Sequence, residues 1–274
     1  MNHTKNDILT EKTVSMNDKK EKKKEGVWGF VKSLLMALIL ALIFRTFIYE
    51  PFHIPSGSMK PTLLVGDYIF VSKFSYGYSS LSLSTNFKGI NIPFPHFEGR
   101  TFNDIPKRGD VVVFKLPSDN TTNYIKRLIG FPGDKIQVKH GILYINGDKI
   151  KRKRIDDFID AEKPALLNAV PQYIETLPNG VSYRVLDEVK DGDEDNTGVY
   201  TVPPGHYFFM GDNRDNSQDS RVMSAVGFVP AENLVGRAEI KFFSSDAPIW
   251  KVWEKVGRAT PFLWSTSYAQ QSHD

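Results

Sequence analysis

The chain has 274 residues, of which 41% are hydrophobic and 24% charged, a composition typical of globular rather than disordered proteins. It has no cysteine, which excludes disulfides, thiolate catalysis and zinc–thiolate sites. The net charge is only +3, and the lysine-rich run at residues 19–24 has no interleaved aromatic residues, so we expect no nucleic-acid partner.

The N-terminal part begins with a polar segment and continues into an apolar one. Residues 1–26 hold only scattered apolar side chains and are predicted to be a flexible basic tail. Residues 27–49 are predicted to form a single transmembrane helix, since at about 1.5 Å per residue they extend roughly 34 Å. Lys32 and Arg45 lie near its two ends, where long cationic side chains can reach the lipid headgroups.

The residues after the apolar segment favour an uncleaved anchor over a removed signal peptide. A cleavage site of small residues is missing, and Arg45, Phe47 and Glu50 stand there instead. Lysines precede the helix and few basic residues follow it. The tail is therefore predicted to be cytoplasmic, and residues 50–274 to lie outside the cytoplasm.

The rest of the chain has the pattern of short strands. The runs "DYIFVSKF", "GDVVVFKL", "GHYFFMGD" and "GRAEIKFFS" are β-branched or aromatic, and His140-Gly141 and Asn146-Gly147 signal hairpin turns. We predict an all-β domain over residues 50–274, an antiparallel sheet system or partly closed barrel. Residues 79–106 and 151–200 are richer in Gly, Pro, Asp and Asn and are predicted to be long excursions, the second a candidate sub-domain.

The stretch "PSGSM", which contains Ser56-Gly57-Ser58, follows the apolar segment closely and has two interpretations. It is either a turn leaving a helix or a nucleophile held at the membrane surface. The six histidines have no metal-ligand spacing and none is an obvious base for a serine, which gives little support to a Ser-His-Asp triad or a metal hydrolase. A nucleophilic serine in this chain would need another base.

The oxygen-rich stretch "GDNRDNSQDSR" (residues 211–221) matches a calcium loop only in part. Oxygen-bearing residues alternate, but Gln218 stands where such a loop needs glycine, and Ser224 where it needs a bidentate glutamate. Arg214 and Arg221 offer cations for the carboxylates. We therefore predict a salt-bridged, hydrogen-bonded turn and neither a metal nor a cofactor.

A lysine can serve as the base if burial keeps its amine neutral. Lys126 in "NYIKRLIGFPGD" is a candidate because it lies in an apolar strand pattern. Alternation places Lys126 on the face of Tyr124 and Leu128, opposite Arg127. The alternative is an ordinary surface lysine, which leaves unexplained why both faces of one apolar strand carry a cation.

The apolar anchor, followed in order by "PSGSM", "GDVVVF", "YIKRLIGFPGD", "GDNRDNSQDSR" and "GFVP", resembles the bacterial type I signal peptidase family over about residues 33–245. The resemblance implies that family's all-β catalytic domain and a Ser-Lys serine endopeptidase that removes signal peptides from exported pre-proteins. It implies a single-pass protein of the bacterial inner (plasma) membrane with its catalytic domain on the periplasmic side. The implied partners are membrane lipid and the signal peptides of pre-proteins emerging from the export machinery.

By the same resemblance, Ser58 is the nucleophile and Lys126 the general base. The Ser56 hydroxyl is expected to join the Ser58 backbone N–H in an oxyanion hole, while Ser217 hydrogen-bonds and orients Lys126. The loop around Ser217 is expected to be braced by two further residues, Asp219 and Arg221. One departure from the family pattern is the single anchor, where some members have two.

The resemblance also implies cleavage after small residues of the A-x-A type, in shallow pockets. The candidate substrate-binding residues are Ile54, Pro55, Tyr124 and Ile125. Two rivals stay open: another Ser-Lys hydrolase of the same broad fold, such as the self-cleaving repressors, and a membrane-anchored β-rich scaffold. At the C-terminal end, "APIWKVWEKVGRATPFLW" has an apolar and a basic side at helical spacing, which predicts a helix on anionic lipid or packed on the β-domain.

Overall fold

The computed structural model describes residues 28–87, 90–92, 94–102, 104–160, 162 and 169–244, in two compact units that divide after Arg45. The described residues of the N-terminal unit all belong to helix α1 (Trp28–Phe47), which is long and apolar enough to cross a membrane. Its large apolar side chains are exposed, as they are in a helix whose surroundings are lipid. The predicted basic tail at residues 1–26 and the predicted C-terminal amphipathic segment lie outside the described residues.

The second unit consists of antiparallel sheets throughout its described part, which confirms the predicted all-β fold class. The main sheet has seven strands, in the spatial order β1 (Tyr49–His53), β2 (Asp67–Ser72), β16 (Leu234–Ser244), β5 (Val111–Lys115), β6 (Asn123–Gly130), β14 (His206–Met210) and β15 (Val229–Pro230). There are three smaller sheets among the described residues. The first has the order β13 (Tyr200–Thr201), β7 (Lys135–Lys139), β8 (Ile142–Ile145) and β9 (Asp148–Lys149), and the second has the order β10 (Lys151–Ile159), β11 (Ala169–Thr176) and β12 (Ser182–Leu186). The third pairs β3 (Thr85–Phe87) with β4 (Ile90–Ile92).

Both predicted hairpin turns are present between β7, β8 and β9. His140 and Gly141 have φ values of 49° and 72°, and Asn146 and Gly147 have φ values of 56° and 91°. A two-residue turn of this kind needs positive φ at both central residues, which Asn and Gly adopt more readily than other residues. The sequence of these two turns therefore fixes the register of the three strands that they join.

The two predicted excursions contain regular structure. The first includes a four-residue helix, α2 (Ser80–Leu83), whose capping residue Ser79 exchanges hydrogen bonds with Ser82, and the β3–β4 hairpin. The second holds β10, β11 and β12, a three-stranded sheet that we call the small sheet. Its residues Tyr183 and Val185 pack into the same apolar cluster as β7 and β8. The small sheet is thereby fixed to the rest of the β unit.

Strand β6 lies between two hydrophobic clusters, which sets the direction of each of its side chains. Tyr124 and Leu128 pack with Phe114 in one cluster, whereas Ile125 packs against the other. Lys126 therefore starts from the Tyr124 side, as the alternation predicts.

Candidate active site

Ser58 lies in a single 3₁₀ turn (Gly57–Met59), which we call the serine turn. Met59 is fully buried in an apolar cluster with Ile54 and Leu63, and its carbonyl accepts a hydrogen bond from the Leu63 N–H at 2.9 Å. The buried methionine fixes the turn from the inside. Ser58 is consequently held at the edge of the core, with 7% of its surface exposed.

Lys126 reaches the serine turn from strand β6, although the two residues are 68 positions apart in the chain. Its Nζ lies 2.7 Å from Ser58 Oγ and 3.0 Å from the Ile125 carbonyl oxygen. The Tyr124 ring centre is 5.3 Å from the same amine. Lys126 is 4% exposed, so water has little access to the contact between amine and hydroxyl.

Burial lowers the pKa of the Lys126 amine to about 8, even though the nearby Asp219 and Asp212 carboxylates act to raise it. Moving an ammonium group out of water disfavours its charged form. Near pH 8 about half of the amine is therefore neutral, with its lone pair beside a hydroxyl at hydrogen-bonding distance. Such an amine can take the proton of a serine.

The backbone around Ser58 is held by several hydrogen bonds. The Gly57 carbonyl accepts from the Lys60 N–H and from Asn213 Nδ2, both at 3.1 Å, and the Ser58 carbonyl accepts from the Asn213 N–H at 3.1 Å. Since the Gly57 carbonyl and the Ser58 N–H belong to one planar peptide, these bonds also fix the direction of that N–H. The exposed Ser56 hydroxyl lies 3.5 Å from Ser58 Oγ.

Asp219 and Arg221 form a buried ion pair in which Arg221 Nε and one Nη donate to the two carboxylate oxygens, each at 2.9 Å. The Gly211 N–H also donates to Asp219, and Arg221 donates to the Arg214 carbonyl. Burial alone would raise the pKa of Asp219, but the charge and hydrogen bonds of Arg221 hold it below its usual value. The two side chains tie together both ends of the loop 211–221.

Ser217 departs from the expected arrangement. Its hydroxyl is buried and makes no hydrogen bond to Lys126, but it lies near Asp219 and helps to hold the pKa of that carboxyl low. The expected bond is missing because the Lys126 amine is turned toward Ser58 and the Ile125 carbonyl. Ser217 instead packs against Gly211, close to the serine turn.

The oxygen-bearing side chains of the loop 211–221 do not converge on one point. Asn213 bonds the Gly57 carbonyl, Asp215 accepts from two backbone N–H groups of a neighbouring loop, and Asp219 pairs with Arg221. Each carboxylate thus has its own donors. The loop is a salt-bridged, hydrogen-bonded turn.

The four candidate substrate-binding residues differ in what they present at the surface. Ile54 is only 2% exposed and packs in the core below the serine turn, so it supports the surface from behind. Pro55 is exposed, and Tyr124 and Ile125 are half-buried beside the Lys126 amine. Three of the four therefore offer surface near the Ser58–Lys126 contact.

A buried network that the sequence does not predict lies beside the serine turn. Arg127 Nε and one Nη donate to the two oxygens of Asp212 at 2.8 and 2.5 Å, and the Thr62 hydroxyl donates to the same carboxylate. The Tyr183 ring centre lies 4.1 Å from the Arg127 guanidinium carbon. Arg127 and Asp212 are 85 residues apart, and no local pattern signals that they meet. The only hint is the second cation on strand β6.

Comparison with known proteins establishes the class of protein. A signal peptidase family model matches residues 27–243, most of the chain, and the chain is accordingly a serine endopeptidase. It belongs to the family described as "Signal peptidase, peptidase S26". The family predicted from the ordered motifs is confirmed, and with it the removal of signal peptides by a serine peptidase.

Individual relatives carry the same name. The chain is 44% identical over 241 residues to "Signal peptidase I" of Rickettsia typhi, covering 86% of this chain and 87% of the relative. It is 47% identical over 225 residues to "Signal peptidase I" of Rickettsia canadensis, covering 80% and 81%. A crystal structure of a signal peptidase I from Enterococcus faecalis is 28% identical and covers 49% of this chain and 97% of its own, with a TM-score of 0.30.

Proposed function

We propose that this chain is a membrane-anchored endopeptidase that cuts signal peptides from exported pre-proteins with Ser58 as nucleophile and Lys126 as general base. The observation that carries the proposal is the 2.7 Å contact between Ser58 Oγ and Lys126 Nζ, shielded from water. The lowered pKa of Lys126 supports the same assignment, because a base must be partly neutral at the working pH.

The reaction proceeds in two halves. Ser58 Oγ attacks the scissile carbonyl carbon as its proton passes to the Lys126 amine, and the resulting ammonium gives a proton to the leaving amine of the mature protein. The signal peptide then remains as an ester on Ser58. In the second half a water gives one proton to Lys126 as its oxygen bonds to the ester carbonyl carbon. The Lys126 ammonium then returns that proton to Ser58 Oγ as the ester bond breaks, which releases the signal peptide as a carboxylic acid and restores the Ser58 hydroxyl and the neutral amine.

The oxyanion formed in each half needs hydrogen-bond donors that are already in place. The Ser58 N–H and the Ser56 hydroxyl are the proposed donors. Two observations support them: the fixed peptide between Gly57 and Ser58, and the position of the Ser56 hydroxyl near Ser58 Oγ. The Asp219–Arg221 pair is proposed to support this site by holding the loop that packs against it, and Ser217 by filling the space beside Gly211.

The proposed substrates have small residues, typically Ala, at the first and third positions before the cut. The half-buried Tyr124 and Ile125 and the exposed Pro55 would form shallow walls that exclude large side chains by overlap. Replacement of the Ala directly before the cut by Phe should abolish processing of that pre-protein. Unchanged cleavage of the Phe substrate would contradict the small pocket.

We propose helix α1 as the anchor, with the β unit outside the cytoplasm of a bacterial inner membrane. A cluster of aromatic side chains in the β unit supports contact with lipid. The Tyr49 ring centre is 5.7 Å from that of Phe74, and Phe70 stacks on Phe242 at 4.1 Å. Phe74 and Phe242 are 46% and 39% exposed, which is costly in water and favourable at a lipid interface.

The test of the proposed function is incubation of the purified chain with a pre-protein. The wild type should release mature protein, and Ser58→Ala should release none, because the alanine has no oxygen to form the ester. Ser84→Ala is the matched control, since this serine only hydrogen-bonds the α2 backbone and Phe94. Equal cleavage by Ser58→Ala and the wild type would reject Ser58 as nucleophile.

A further inference from the structure

The serine turn has little internal support of its own. It contains three residues, the side chain of the preceding residue Ser56 makes no capping hydrogen bond, and one backbone hydrogen bond, from the Lys60 N–H to the Gly57 carbonyl, closes it. Short 3₁₀ turns depend on their surroundings for their position. The contacts that flank this turn therefore determine where Ser58 Oγ lies relative to Lys126.

One flanking contact is an ion pair between distant parts of the chain. Lys60 Nζ donates to both oxygens of Asp160, at 2.9 and 3.0 Å, and to Glu162 at 2.8 Å. Lys60 and Asp160 are each about 5% exposed, whereas the Glu162 side chain is 52% exposed. Burial disfavours the ammonium, yet the two carboxylates hold the pKa of Lys60 above its usual value.

The stem of Lys60 runs alongside the serine turn before its amine reaches the carboxylates. A Cβ added to Gly57 would lie 3.3 Å from Lys60 Cε and 3.4 Å from Lys60 Cδ. The lysine thus packs against the peptide that precedes Ser58 and is held at its far end. If the Lys60 amine moved, the methylene groups that pack against Gly57 would move with it.

Asp160 comes directly after strand β10 of the small sheet, and the same sheet contacts the serine turn by a second route. Leu186 of β12 donates its N–H to the Asp212 carbonyl and forms a bridge with Asn213, which in turn hydrogen-bonds the Gly57 and Ser58 carbonyls. The serine turn is therefore connected to the small sheet at two points, through Lys60 and through Asn213.

We propose that Lys60 is a positioning residue, and that the small sheet places Ser58 for attack through the Lys60–Asp160 ion pair. The inference rests on the proposed role of Ser58. It gives residues 151–200 a part in the reaction although none of those that the structure describes is recorded in contact with Ser58 Oγ or the Lys126 amine. A misplacement of about 1 Å at a reacting atom can cost on the order of a hundredfold in rate, so a small shift of the turn suffices.

The experiment compares four variants of the full chain: Lys60→Met, Lys60→Arg, Asp160→Asn and the double variant Lys60→Met with Asp160→Asn. For each of them kcat and KM are measured on one signal-peptide substrate. We expect Lys60→Met and Asp160→Asn to lower kcat by about tenfold to a hundredfold, with KM within about threefold of the wild type. Lys60→Met combined with Asp160→Asn should be no slower than the slower single variant, because both remove the same contact. Lys60→Arg keeps the charge and the reach, and should restore most of kcat.

One control variant and one milder variant complete the test. Asp157→Asn removes the exposed partner of Arg154 on the same strand and should leave kcat unchanged. Glu162→Gln removes the half-exposed second partner of Lys60 and should fold even if Asp160→Asn does not. It should lower kcat by a smaller factor than Asp160→Asn does. All rates are measured where the unfolding curves show each variant fully folded.

The outcomes separate the two proposals. If folded Lys60→Met and Asp160→Asn keep the wild-type kcat and lose only thermal stability, the ion pair is merely structural and the positioning role is wrong. If Ser58→Ala cleaves as fast as the wild type, the proposed function fails instead. The positioning role stands if kcat falls while Ser58→Ala is inactive and Lys60→Arg is active.

Discussion

At the residue scale, the lowered pKa of Lys126 sets the pH at which the chain should work. The amine accepts a proton only when neutral, so kcat/KM should fall as pH decreases through about 8, the value that burial gives it. Lys126→Arg should be inactive at every usable pH, because a guanidinium stays protonated. A pH–rate profile on a short peptide substrate measures the acid limb. Substantial activity of a folded Lys126→Arg chain would require another base.

The same burial predicts that Lys126 reduces the stability of the fold. Its pKa is 10.5 when unfolded and about 8 when folded, so the unfolded state binds more protons between these values and stability rises with pH across that window. Lys126→Met should therefore be more stable than the wild type below pH 8, by up to about 3 kcal/mol.

The advantage of Lys126→Met should disappear as pH rises toward 10.5, and denaturant unfolding at several pH values measures it. A variant that gains stability while losing all activity would identify the amine as a group kept for catalysis at the expense of folding. A loss of stability at neutral pH would show that the contact with Ser58 outweighs the burial of the charge.

Gly211 occupies a position that has no room for a side chain. A Cβ there would overlap the Ser217 hydroxyl and the Ser58 carbonyl, so Gly211→Ala should push the loop away from the serine turn. We expect it to lower kcat by more than about tenfold. Gly198→Ala is the control, since nothing lies within 4 Å of its added Cβ. Wild-type kcat in Gly211→Ala would mean that the loop relaxes without moving Ser58.

At the scale of elements, an ion pair joins the small sheet to the loop 211–221. Arg214 donates two hydrogen bonds to Glu175 of β11, at 2.8 and 2.5 Å, and the Tyr183 hydroxyl donates a third to the same carboxylate. All three side chains are buried, and Glu175 raises the pKa of Arg214 although burial alone would lower it. The pair fixes the loop to the small sheet.

Glu175→Gln should leave the Arg214 charge buried without a counterion and lower the free energy of unfolding by about 3–5 kcal/mol. Asp157→Asn, which breaks the exposed pair with Arg154, should change it by less than about 1 kcal/mol. Guanidinium unfolding of both variants makes the comparison. Equal losses for the buried and the exposed pair would contradict this account.

The strands of the main sheet could be predicted because their β-branched and aromatic runs are local signals. The small sheet was harder to predict because β10 reads "KRKRIDDFI", in which charged side chains outnumber apolar ones and obscure the alternation. The side-chain contacts that build the site could not be predicted from the sequence. Lys60 and Asp160 are 100 residues apart and Glu175 and Arg214 are 39 apart, and a pairing at such distances depends on the tertiary fold.

For the site, two kinds of information came from the sequence. The apolar neighbours of Lys126 indicated a buried amine, and the ordered motifs indicated which serine it would serve. The structure lacks the expected hydrogen bond between Ser217 and Lys126, because the amine is directed at Ser58 and the Ile125 carbonyl. Sequence can nominate a residue for a site, but the direction of its donor group is decided by packing.

At the scale of the whole molecule, the lack of cysteine in the chain provides a direct test of the proposed topology. A single introduced cysteine is then the only thiol that a membrane-impermeant maleimide can label. The proposal puts residues 1–26 in the cytoplasm, helix α1 in the bilayer and the β unit outside, since the lysines before the helix are retained on the cytoplasmic side.

In intact right-side-out vesicles, Asp148→Cys on the exposed strand β9 should be labelled at once, and Asn6→Cys only after the membrane is permeabilised. Leu38→Cys, in the middle of α1, should resist the polar reagent in both conditions because the hydrocarbon interior excludes it. Each variant must still process a pre-protein, which shows that the label reports the working orientation. Labelling of Asn6→Cys in sealed vesicles, with Asp148→Cys protected, would reverse the topology and place Ser58 on the wrong side of the membrane for signal peptides that have already crossed it.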